Sequence, residues 1–102
     1  MAGSRLNLQT LLEEILGSDE VHFQAPESGK MTYPAIVYSL SDIDNTHANN
    51  EVYMQSRSYE ITVIDYDPDS EIVNKVSVLP KCRFNRHFKS DNLNHYVFTI
   101  YY

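Results

Sequence analysis

The chain reads as an α+β fold: one domain over residues 1–102, a mixed or antiparallel sheet flanked by two helices, in the order α-β-β-β-α-β-β. Three observations carry this. Runs rich in tyrosine and β-branched residues alternate with polar turns, the composition of strands. Two segments repeat apolar residues at helical spacing, and each ends at a stop residue, Gly17 or Pro80. No repeat and no linker divides the sequence.

Leu8, Leu11, Leu12, Ile15 and Leu16 recur at helical spacing with Glu13 and Glu14 between them, which predicts a helix over 6–16. Gly17 suits a left-handed C-terminal stop. Val21-His22-Phe23-Gln24 alternates as a short strand, and Pro26, Ser28 and Gly29 make a loop. Pro34 opens the second strand, Ala35 to Leu40, where it removes no ladder donor. Residues 41–51 hold Asp42, Asp44, Glu51 and three asparagines with little apolar material, and read as a polar loop or an extended hairpin tip. Tyr53 to Tyr66 is the longest strand. Tyr59, Ile61 and Val63 point one way, Thr62, Ile64 and Tyr66 the other, which predicts a central position.

Asp67 is placed as the cap of the second helix, with Pro68 as its first residue and Asp69 and Glu71 in its first turn. Ile72, Val73, Val76 and Leu79 form its apolar stripe. Cys82 to Phe88 alternates as a strand, Lys89-Ser90-Asp91-Asn92 turns, and Leu93 to Tyr102 returns. On the first of these two strands alternation predicts that Phe84 and Phe88 line the core while the cations stand out.

With 42% hydrophobic and 22% charged residues the composition is that of an ordinary globular domain with one modest core. No stretch approaches the roughly 20 apolar residues that span a bilayer, so no membrane partner is expected. The opening Met-Ala-Gly-Ser-Arg has no apolar run, so the chain is expected to be cytosolic when made. Cys82, the one cysteine, reads as a small core residue at a strand start.

The spacing holds no metal or nucleotide motif. His22, His47, His87 and His95 fall in no HxxxH or HExxH pattern, and zinc needs three or four ligands. His87 and His95 flank a turn as expected cross-strand neighbours. Asp65, Asp67, Asp69 and Glu71 are explained by strand ending and helix capping. No catalytic residue, metal or cofactor is expected. Lys81, Arg83, Arg86 and Lys89 interleaved with Phe84 and Phe88 fit single-strand nucleic-acid binding, but a net charge of −6 opposes attraction to phosphates.

That charge is uneven. Residues 1–71 carry three cations against thirteen acids, a balance of −10; residues 72–102 carry five against one, a balance of +4. Such asymmetry suits two complementary surfaces on one protein.

The ordered pieces Tyr33-Pro34-Ala35-Ile36-Val37-Tyr38, the Asn-rich segment ending at Tyr53, Tyr59-Glu60-Ile61-Thr62-Val63 leading into Asp67-Pro68-Asp69, Arg83-Phe84-Asn85-Arg86, and Asp91-Asn92-Leu93-Asn94-His95 span residues 33–102. In this order the chain resembles the small tail-terminator (tail-completion, or head–tail joining) proteins of long-tailed bacteriophages and related prophage elements. The resemblance implies a mixed sheet flanked by helices and a non-enzymatic hexameric ring in the virion. That ring sits at the head-proximal end of the tail, stops tube polymerisation and docks on the head connector or stopper protein. DNA passes its lumen without specific binding. The family has no catalytic residues to carry over.

A cyclic ring uses heterologous contacts, one patch meeting a different patch of its neighbour. Lys81, Arg83, Arg86 and Lys89 are therefore expected to face acids such as Asp42, Asp44 or Glu51 of the next subunit, with His47 at the same interface. The alternatives are a sheet-based protein- or nucleic-acid-binding module and a small phosphodiesterase using His87 or His95.

Overall fold

A computed structural model describes residues 5–24, 32–48 and 51–101, with side chains outside 44–56. The elements are α1 (Arg5–Leu16), β1 (Val21–Phe23), β2 (Ala35–Ala48), β3 (Glu51–Asp65), α2 (Glu71–Ser77), β4 (Cys82–Ser90) and β5 (Leu93–Tyr101). They form one mixed sheet in the order β1-β2-β3-β5-β4. β1 runs parallel to β2, and the other pairs are antiparallel. The predicted α+β class and element order hold, and β3 is central.

Register explains the core. One face carries cross-strand rows: Ile36, Val63, Tyr96 and His87; Tyr38, Ile61, Phe98 and Phe84; Leu40, Tyr59, Ile100 and Cys82. Both helices cover this face. Leu8 and Leu12 of α1 and Val76 of α2 join Ile36, Tyr38, Ile61, Phe98 and Ile100 in one buried cluster, with Ile72, Val73, Leu79 and Cys82 packed against it. The fully enclosed Phe98 anchors it, and such a ring removes about 150–250 Å² from water. Gly17 ends α1 at φ +79°, as its position predicts. Arg5 and Gln9 tie α1 to the sheet: the Arg5 guanidinium donates to the Tyr38 hydroxyl (3.2 Å) and lies 4.5 Å from the Phe23 ring, while Tyr38 donates to Gln9 Oε1 and Gln9 Nε2 to the Val21 carbonyl (2.9 Å). The opposite face has a smaller buried set: Ala35, Ile64, Leu93 and Val97.

Four sequence expectations need correction. Residues 41–48 are strand rather than loop, which is the extended-hairpin alternative: β2 continues to Ala48 and β3 begins at Glu51, paired with register shifts at Leu40/Asp42 and Thr46/His47. Backbone ladder bonds suffice for a ribbon even where side chains are polar. The second helix starts later than predicted. Asp65 Oδ1 accepts from Asp67 N (3.1 Å) and Asp67 Oδ1 from Asp69 N (2.8 Å), so successive side-chain turns hold residues 65–69 out of the helix and Ser70 becomes the cap. The last hairpin turns on Asp91-Asn92 alone, both at positive φ (53° and 63°), the geometry a two-residue hairpin requires.

The fourth correction concerns β4. It is exposed from Arg83 to Ser90, including Phe84 and Phe88, because it is the edge strand, with a sheet neighbour on one side only. The predicted loop at Pro26, Ser28 and Gly29 lies outside the described residues. No described helix is long and apolar enough to cross a membrane.

Candidate assembly interface

β4 gathers the predicted cations on one edge of the molecule. Lys81 precedes it at φ 59°, and Arg83, Arg86 and Lys89 lie along it, all exposed. Strict alternation would put Arg83 and Arg86 on opposite faces. A register shift between Phe84 and Arg86 inserts Asn85, so Arg83 pairs with Thr99 and Arg86 with Val97, both on the face away from the helices. Asn85 Nδ2 donates to Thr99 Oγ1 (2.6 Å) and fixes the bulge. Beyond it Phe88 stacks on His95 (ring centroids 4.7 Å, 10° between planes), and the Arg86 guanidinium stands 6.0 Å from the Phe88 ring. Phe84, on the helix face, meets Phe98 edge-on at 5.5 Å.

Among the described residues no carboxylate lies within ion-pair distance of Lys81, Arg83, Arg86 or Lys89. His22 Nε2 lies 3.0 Å from Glu20 Oε2. The His22 hydrogen bond, helped by the Thr32 amide, holds the Glu20 carboxyl below its ordinary pKa.

The acidic set lies at the other side of the sheet, with β3 and β5 between. Asp42 is exposed on β2, and its Oδ1 accepts from the Ile43 amide (2.8 Å). Asp44 stands opposite Ser56, His47 opposite Val52 and Glu51 opposite Ala48; the side chains of Asp44, His47 and Glu51 lie outside the described residues. Within one chain, therefore, Arg83, Arg86 and Lys89 are brought together on β4, with Lys81 just before it, while Asp42 and Asp44 lie on β2 and Glu51 at the start of β3, and Asp42 does not meet the cations.

Two features were not read from the sequence. β5 accompanies β3 only from Ser58 to Asp65, so Ile43–Ala48 and Glu51–Arg57 form a two-stranded ribbon with no third strand among the described residues, and the molecule is elongated, 51 × 27 × 23 Å. The ribbon also bears an exposed Ile43, next to the exposed Leu40. The sheet pairing is long-range, which local patterning does not reveal.

His87 and His95 do not converge. His87 pairs with Tyr96 and stacks on it at 4.6 Å on the helix face, whereas His95 pairs with Phe88 on the other face, so they are not the cross-strand pair expected. His87 Nε2 meets Asn94 Oδ1 (3.1 Å), and His95 Nδ1 the Leu93 carbonyl (3.2 Å). A hollow of about 190 Å³ beside α2 is lined by Pro68, Asp69, Ser70, Val73, Asn74 and Tyr96. The Tyr96 hydroxyl donates to the Pro68 carbonyl (2.7 Å). Burial first, then the charges of Asp69, Asp65 and Asp67, push the Tyr96 pKa up. Among the described residues no three His, Cys, Asp or Glu side chains are placed to share a metal ion.

Compared with models of known protein families the chain matches none, and none of the curated proteins compared with it matches either.

Proposed function

We propose that this chain is a structural assembly protein that closes the head-proximal end of a phage tail tube. In this reading copies form a ring, a hexamer by resemblance to the tail-terminator proteins. The ring halts tube growth, offers its other face to the head connector and lets DNA pass without specific binding. The chain then belongs to the virion and performs no catalysis. One observation carries the reading: cations without carboxylate partners among the described residues lie at one edge strand, while acids lie on a ribbon at the other side of the same sheet. A head-to-tail ring needs two such different patches on every copy.

The test is electron microscopy of purified protein with polymerising tail-tube protein. Tubes of restricted length with a disc at one end are expected. Tubes that grow undecorated to their usual length overturn the proposal.

A second reading has its own support. The Arg86–Phe88–His95 stack on a sheet face suits a single-stranded nucleic acid. It predicts binding to single-stranded DNA or RNA that weakens steeply with salt and is lost in Phe88→Ala. No retardation of a labelled oligonucleotide at low salt removes it.

A further inference from the structure

We infer that the free edge of β4 pairs with the free outer edge of β2 in a second copy of this chain, so that the sheet continues from subunit to subunit. The inference rests on the ring-forming reading and specifies its contact.

The two edges are open and of similar length. β4 has β5 as its single neighbour over nine residues. β1 covers β2 only at Ile36–Tyr38, leaving Ser39–Ala48 unpaired on the outer side among the described residues. The backbone of β4 is also oriented for pairing. The Asp91-Asn92 turn makes Ser90 and Leu93 a mutually bonded pair, so by alternation the amides and carbonyls of His87 and Lys89 point away from β5. Before the bulge, Tyr101 N donates to the Lys81 carbonyl (3.1 Å), while Cys82 N turns outward to Leu79 O (3.2 Å), so Phe84 faces outward too. A third strand on the β2–β3 ribbon adds ladder bonds to a segment that two strands alone hold beyond the five-stranded sheet.

Charge selects the pairing. β4 carries three cations and no acid; β2 carries two acids, Asp42 and Asp44, and no Lys or Arg. Two β4 edges, or two β2 edges, would set like charges opposite each other, which is destabilising. Cations and a bulge blunt an edge strand against indiscriminate pairing; here they leave an acidic strand as the favoured neighbour. Each chain offers one edge of each kind, so the contact is head-to-tail.

The test uses two full-length variants, Arg83→Glu with Arg86→Glu, and Asp42→Lys with Asp44→Lys, checked for native circular dichroism. They are run in sedimentation equilibrium up to millimolar concentration. Wild type is expected to associate, and each variant alone to lose association by about tenfold or more in Kd. An equimolar mixture regains it, because the intact β2 of one variant meets the intact β4 of the other. On association, amide exchange should slow at Phe84, His87 and Lys89 and along Ser39–Ala48. Wild-type-like association of the Asp42/Asp44 variant, a mixture that stays monomeric, or a wild type still monomeric at millimolar concentration each overturns the pairing. Tube capping by the edge variants sinks the pairing and leaves the ring reading standing; edge pairing in a wild type that ignores tail tubes does the reverse.

Discussion

Cys82 shows how a single position is set by its surroundings. It opens β4, pairs with Ile100 and packs half-buried against the core. Burial pushes its thiol pKa up, which disfavours the reactive thiolate. The folded pKa is raised above the unfolded one, so this group's contribution to stability is fully present below the unfolded pKa and falls as pH rises through the folded pKa. Alkylation of native protein by iodoacetamide at pH 8 is therefore expected to be slower than that of the same chain in urea. Equal rates would show the thiol to be unprotected. Lys81, one residue earlier, sits in left-handed backbone at φ 59°, a conformation the sequence did not signal because lysine has no preference for it.

At the scale of the element, α2 is instructive. Ser70 occupies the cap position, yet its hydroxyl makes no capping bond and is buried with no hydrogen-bond partner. A capping serine changed to alanine ordinarily costs about 1 kcal/mol. Here the hydroxyl contributes no bond and its desolvation is uncompensated, so Ser70→Ala is expected to be neutral or stabilising, within about 1 kcal/mol. A fall of more than that in denaturant unfolding would mean the hydroxyl does cap the helix. The late start of α2 follows from the Asp65 and Asp67 side-chain turns. The β2–β3 ribbon makes the complementary point: a polar segment becomes strand when a neighbouring strand supplies the ladder.

For the whole molecule, charge distribution outweighs net charge at close range. The overall −6 repels distant copies, but the proposed contact between the β4 and β2 edges would bring opposite signs within a few ångströms. Salt shortens the screening length from about 30 Å at 0.01 M to about 3 Å at 1 M. Self-association measured by sedimentation is thus expected to weaken as sodium chloride rises from millimolar to molar. Association that strengthens with salt would assign the contact to apolar groups, Leu40 and Ile43 among them.

The number of elements, their types and the alternation that turns Tyr59, Ile61 and Val63 to one side of β3 were legible in the sequence, because burial on one face imposes a periodicity that local reading detects. So was the separation of acids from cations along the chain. What the sequence left open was which strand stands at an edge, since that depends on pairing between segments far apart in the chain. Tertiary structure therefore decided that Phe84 and Phe88 are exposed, that the Asn85 bulge turns Arg83 and Arg86 to one face, and that the acidic segment projects as a strand ribbon. Hydrogen-bonded neighbours, supplied or withheld by the sheet order, determine each of these outcomes.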